Sequence, residues 1–252
     1  MPSIARASGF MARADEDKIY GYRAVRAAFD RRAEAIVRIY VDDARVDDYS
    51  ELLHDAAQRR IAYKIVSFDE VAAFAGSCHH EGICILAKPR RVDLSTAIER
   101  VGESPCVLAL DRVQNPHNLG AVARSAAHFG VKAIVRDVED GRWTAAAFRT
   151  AEGGAEFIAR VVVDDLADGL FAMRDAGYSV LGLDSEARSS LYDVGLTGPV
   201  VLVLGNETHG LRREVRAALS KTVYLPGTDR VQSLNVSNAA AVAMAEVWRQ
   251  RS

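Results

Sequence analysis

The sequence predicts an α/β protein: a mostly parallel sheet with helices on both faces, preceded by a smaller α/β unit. Three observations carry this. Apolar strand-like runs alternate with helix-like runs along nearly the whole chain, which is the signature of βα units. In the second half those runs are almost continuously apolar, as in VVLVLG, so the sheet is covered on both sides and its strands run parallel. Between the halves lies PRRVDLSTAIERVGES, charged and opened by a proline, where a joint is expected.

Residues 1–17 read as a mobile tail, because they lack both periodicity and the continuous apolar core of a secretory signal. The first unit, 18–89, then runs in order. YGYRAVRAAFDRR is a helix, IVRIYVDD a strand, DYSELLHDAAQRR an amphipathic helix, IAYKIVS a strand, FDEVAAFAG a short helix and GICILAK a strand. Residues 90–104 form the linker. The second unit, 105–252, opens on the strand CVLALDRV and the turn-rich NPHNLG. GAVARSAAHFG is a helix closed by Gly130, KAIVRDV a strand, TAAAFRTAEGG a helix and EFIARVVV a strand. DLADGLFAMRDAG, YSVLGLD, PVVLVLGN, LRREVRAALS and KTVYLPG follow as helix, strand, strand, helix and strand. An Ala-rich helix from Ala239 ends the chain.

The chain has 252 residues, 49% hydrophobic and 26% charged, with a formal charge of −2. This is a soluble globular balance, with no apolar run of the roughly 18–20 residues that a membrane span requires. The charge excludes a protein that coats nucleic acid by bulk electrostatics, so any RNA contact must come from local clusters such as Arg23, Arg26, Arg31 and Arg32, or Lys88, Arg90 and Arg91. Three cysteines without metal-ligand spacing, Cys78, Cys84 and Cys106, suit a reducing cytoplasm. Cys78-His79-His80 has no second ligand pair nearby, and no metal is expected.

In open α/β sheets, ligands gather beyond the carboxyl ends of strands. Three such ends are dense in polar residues. After CVLAL come Asn118, Gly120 and Arg124; after VVLV come Gly205, Asn206, Glu207 and Gly210; after VYLP comes SLNVSN, with Ser233, Asn235, Ser237 and Asn238 around Leu234 and Val236. A helix needs only one such cap, and Ser237 or Asn238 can supply it; Leu234 and Val236 are expected to pack inward. Neither a GxGxxG nor a GxxxxGK[ST] motif occurs at these ends, so the glycines suit a compact ligand held by backbone from several turns rather than a phosphate cradle.

Together the three segments resemble the three motifs of the SpoU (TrmH) family of RNA 2′-O-ribose methyltransferases, within the SPOUT superfamily. NPHNLGAVARSAAHFG is similar to motif 1, VVLVLGNETHGL to motif 2 and VYLPGTDRVQSLNVSNAAAV to motif 3. The first unit resembles the L30e-like substrate-binding domain that many members carry. Asn115 where Asp is common, His209, and Pro-Gly after Leu225 depart from the pattern.

The resemblance implies a deep trefoil knot in the second unit, S-adenosyl-L-methionine as cofactor, ribosomal or transfer RNA as substrate, and a homodimer with its active sites near the subunit interface. It places Gly205, Leu225 and Leu234, with Asn206, Gly210 and Pro226, at the cofactor, and Arg124, Asn118, Glu207, Ser233 and Asn235 at the catalytic centre. A guanidinium does not ordinarily accept a proton, so Arg124 is better suited to stabilising a developing alkoxide. His117, the usual residue type for a base near neutral pH, stands beside Asn118. Against that role, Pro116 and Asn118 already account for this turn, and the family pattern gives the position no catalytic role. The rival from another class is an RNA-binding protein that keeps the fold without catalysis.

Overall fold

The computed structural model describes residues 16–100, 106–140, 142–228 and 230–252. Its first unit is a four-stranded sheet of β1 (Asp17–Tyr20), β2 (Ile36–Asp42), β3 (Tyr63–Val66) and β4 (Ile83–Ala87), in the order β1-β4-β2-β3. β4 pairs antiparallel with both its neighbours, and β2 with β3 is parallel. Helices α1 (Tyr22–Arg32), α2 (Ser50–Gln58) and α3 (Phe68–Ala75) pack on it. α3 begins at a reciprocal cap, in which Ser67 and Glu70 each satisfy the other's backbone N–H, and it ends at Gly76 in the left-handed region.

The expected tail ends earlier than residue 17. Residues 1–15 lie outside the described residues, but Asp17 starts β1 and is buried. The stretch read as a linker is also structured over its described part. Val92 bridges to Val161, Asp93 accepts from the Thr96 amide, and α4 (Leu94–Arg100) buries Ala97 against the second unit.

The second unit is a six-stranded, wholly parallel sheet. Its strands are β5 (Cys106–Leu110), β6 (Ala133–Asp137), β7 (Ala159–Val163), β8 (Ser179–Leu183), β9 (Val200–Leu204) and β10 (Lys221–Val223), ordered β10-β8-β9-β5-β6-β7. β5 and β9, at its centre, are buried at every position, which explains why CVLAL and VVLVL show no alternation. Helices α5 (Pro116–His128), α6 (Ala145–Ala151) and α9 (Val236–Arg251) join the core that continues into the first unit. α7 (Leu166–Asp175) and α8 (Arg213–Ala218) cover the other face.

Two elements begin before their expected starts. NPHNLG is not a loop: Asn115 caps α5 through the His117 amide and Pro116 occupies its first turn, where a missing N–H costs nothing. Gly120 is therefore inside a helix. A Cβ there would lie 2.5 Å from Thr150 Cβ and 2.6 Å from the Ala147 carbonyl oxygen, so this glycine permits the close crossing of α5 and α6 and makes no turn. α9 starts at Val236, three residues before Ala239, and its cap is Asn235, not Ser237 or Asn238.

A buried charge network joins the two units. Arg32, 3% exposed, donates to both carboxylate oxygens of Glu156 (2.7 and 2.9 Å), to Asp17 (3.2 Å) and to the Lys88 carbonyl; Arg160 donates to Asp17 (2.8 Å). Burial alone would lower the Arg32 pKa, but its hydrogen bond and charge pairing with Glu156, helped by Asp17, raise it. Two cations and two anions thus neutralise one another inside the seam.

Candidate active site

The loops after β8, β9 and β10 open at the same edge of the sheet and enclose a cleft of about 520 Å³. Gly205, Asn206, Glu207 and Gly210 line it from the β9 loop; Leu225, Pro226, Ser233 and Leu234 line it from the segment after β10. Leu234 does not pack inward as expected. It is 48% exposed on the cleft wall, while Val236 is buried in the core.

The β9 loop closes on itself. Asn206 and Gly210 exchange backbone hydrogen bonds (3.2 and 2.9 Å), and the Asn206 side-chain oxygen accepts from the amides of Thr208 and His209. His209 is thereby accommodated, its ring nitrogen 3.2 Å from that same oxygen. A Cβ on Gly205 would fall 2.4 Å from the Gly210 carbonyl carbon, so the glycine is required by backbone meeting backbone. Gly210 holds φ +64°, a conformation most side chains resist. Asn206 also donates to the Arg112 carbonyl (3.1 Å), and buried Asp111 accepts from the Arg212 amide and guanidinium (2.7 and 2.6 Å), tying this loop to the one after β5.

Beside the cleft, residues on α5, in the β9 loop and at the start of α9 form one hydrogen-bonded chain with a fixed direction. The Asn235 side-chain oxygen accepts from the Ser237 amide (2.9 Å) and hydroxyl (2.6 Å), so its NH₂ must point the other way, to the Asn118 oxygen (3.2 Å). The Asn118 NH₂ then donates to the Glu207 carboxylate. A backbone N–H at one end and an acceptor-only carboxylate at the other determine both amide orientations.

Arg124 stands apart. Six residues beyond Asn118 on α5, it is exposed, has no hydrogen-bond or ion-pair partner among the described residues, and lines a different groove beside α1 and α6. His117 turns from that chain as well, its ring 3.4 Å from the Thr150 hydroxyl on α6.

The sequence reading missed the wall from Leu183 to Glu186, and with it Arg216. The signal was present: the polar DSE follows directly on an apolar strand. Asp184 pairs with Arg216; burial raises its pKa, but the Glu186 amide and Arg216 outweigh that and hold it below the usual value. The donor set fits a cationic nucleoside. Leu225 and Leu234 offer apolar faces to a purine, the loops offer backbone groups, and Glu186 and Glu207 offer carboxylates to positive charge.

Among the described residues no group of three or more His, Cys, Asp or Glu is placed to hold a metal ion. His80 is buried and accepts from the Gly82 amide (3.0 Å), while Cys78 is exposed and unpaired. Burial pushes the Cys84 and Cys106 thiols up to about 12, too high for a nucleophile. No helix among the described residues is long and apolar enough to cross a membrane.

A parallel sheet with a cleft at its carboxyl edge, joined to a small α/β unit, defines an α/β protein with its ligand site at the strand ends. Residues 105–245 match the SpoU rRNA methylase family, and residues 18–92 match the RNA 2′-O ribose methyltransferase substrate-binding domain. The chain belongs to the SpoU family of S-adenosylmethionine-dependent RNA 2′-O-ribose methyltransferases.

It is 40% identical over 94% of its length to an uncharacterized tRNA/rRNA methyltransferase, YfiF, of Escherichia coli O157:H7, spanning 69% of that protein. It is 32% identical to the 23S rRNA (guanosine-2′-O-)-methyltransferase RlmB of Neisseria meningitidis, covering 94% of this chain and 97% of that one. In fold it is similar to AviRb of Streptomyces viridochromogenes, a SpoU methyltransferase solved with AdoMet. The TM-score is 0.80 at 24% identity, over 95% of this chain and 92% of that one.

Proposed function

We infer that this enzyme methylates a ribose 2′-hydroxyl of ribosomal or transfer RNA in the cytoplasm, as a homodimer, using the cleft after β8, β9 and β10. The observation that carries the reading is the directed chain Ser237–Asn235–Asn118–Glu207 beside that cleft. It supports a catalytic centre built from all three motif segments. The rRNA assignment of the RlmB relative favours ribosomal RNA. The trefoil knot implied by the family belongs to the same reading, with the segments after β9 and β10 as its loops.

S-adenosylmethionine, when bound, supplies an electrophilic methyl group on a sulfonium. Gly205, Asn206, Gly210, Leu225, Pro226 and Leu234 are the residues that would hold it. The rest of the task falls to this chain: to orient the hydroxyl and stabilise the oxygen as its proton leaves. Orientation alone contributes up to about 7–11 kcal/mol in favourable cases. Ser233, on the cleft wall, and Asn235, beside the cleft, are placed to orient the ribose. The guanidinium of Arg124 stabilises the developing alkoxide, with water taking the proton.

Arg124 lines a groove other than its own cleft, which supports a dimer in which Arg124 of one subunit serves the cleft of the other. Trp248 and Val242, both exposed on α9, offer the apolar surface such an interface needs.

The test is labelled-methyl incorporation into bulk RNA by wild type and by Arg124→Ala, with S-adenosylmethionine affinity measured by calorimetry. The expected result is transfer by wild type, its loss in the variant, and cofactor affinity within about twofold. Wild-type turnover by Arg124→Ala removes Arg124 from the chemistry. No incorporation by wild type into any RNA overturns the activity.

A further inference from the structure

The groove beside Arg124 is a second cavity, of about 500 Å³, and it lies on the seam between the units. One wall is α1, where Arg23, Ala27 and Arg31 recur at spacings of four and so share a face. The opposite wall is α5, with Arg124 and His128, again four apart. Gly153 and Gly154 form the floor. A Cβ on Gly153 would lie 2.8 Å from Ala27 Cβ, and one on Gly154 would lie 3.0 Å from the Ala123 carbonyl oxygen, so the floor is as close to both helices as backbone can come.

Phe157 stands at one end. It is 56% exposed, and the Arg31 guanidinium lies 4.8 Å from its ring centre. Single exposed aromatics are common and mean little alone. This one lines a cavity, carries a cation against its ring, and shares that cavity with Arg124. The groove's acid, Glu152, is already engaged by Arg23 (3.4 Å) and Arg149, which leaves Arg31 and Arg124 as cationic groups in excess.

A flat aromatic surface beside guanidinium groups is the chemistry that binds an unstacked base and its phosphates; a duplex keeps its base faces inside the stack. We propose that this groove holds an unpaired nucleotide of the substrate strand, its base against Phe157 and its phosphate against Arg31. This rests on the reading of the chain as an RNA methyltransferase and names where the RNA sits. It also gives a use to the α1 arginine cluster, which net charge alone left indistinguishable from a solvated face.

The full-length protein is titrated, by fluorescence anisotropy, into a labelled mixed-sequence single strand of roughly 12 nucleotides, a typical single-strand footprint, and into the duplex of that strand. Wild type should prefer the single strand. Phe157→Ala should weaken single-strand binding roughly 5- to 100-fold, the worth of one base stack, and Phe157→Trp should restore it. Arg31→Ala should weaken it too, whereas Arg26→Ala, on another face of α1 and paired with Asp30, should change it little. The proposal is overturned if Phe157→Ala binds as wild type does, if Phe157→Trp binds no better than Phe157→Ala, or if wild type prefers the duplex or binds neither probe. Binding is read without methylation, so an inactive wild type would refute the activity while leaving this result to stand.

Discussion

At the scale of single residues, the directed chain beside the cleft depends on which end of each amide points where. Asn235→Asp changes almost no volume, yet an aspartate can accept from Ser237 and cannot donate to Asn118. Turning the Asn118 amide over to meet it would set the Asn118 oxygen against the Glu207 carboxylate. Asn235→Asp should therefore lower kcat at least about tenfold, equivalent to roughly 1.4 kcal/mol of transition-state stabilisation, with cofactor affinity in calorimetry nearly unchanged. Retained kcat would show that the chain is ornamental to catalysis. None of this direction was legible beforehand: Asn118 is 89 residues from Glu207 and 117 from Asn235, and no local pattern reports a contact at that range. The residue types were legible because their density exceeded what capping explains.

At the scale of elements, most strands and helices were readable because burial stamps a period on them. The failures have local causes. β1 is only DKIY, four residues too short to show alternation, and its partner β4 lies more than 60 residues on. α4 sits in a charged stretch that resembles a linker, although Asp93 marks its start. NPHNLG looked like a turn because Asn, Pro and Gly dominate it, whereas Asn followed by Pro is equally a helix start, and Gly120 serves a helix crossing. Gly120→Ala tests this. Alanine gains about 1 kcal/mol of helix propensity over glycine, but overpacking costs about 1–3 kcal/mol, and a clash with the Ala147 backbone cannot be relieved by rotating a side chain. The clash wins, and urea denaturation should show a net loss of stability. An increase would mean that the helices separate freely.

At the scale of the whole molecule, the two units behave as one body because they share an apolar core and the charges of Asp17, Arg32, Glu156 and Arg160. Removing one member of a buried ion network leaves its partner's charge uncompensated, at a cost of about 3–5 kcal/mol. Glu156→Gln, which keeps one acceptor, should fall near the lower end, and adding Arg32→Met should recover part of the loss in a double-mutant cycle. Additive losses would mean that the pair is uncoupled. The network also has a bearing on synthesis. Asp17 and Arg32 leave the ribosome long before Glu156 and Arg160 exist, and until then the first unit carries an ion pair with half its counter-charges missing. The amino-terminal module is thus completed by a piece of chain made more than a hundred residues later, which ties maturation of the RNA-facing half to arrival of the half that performs the reaction.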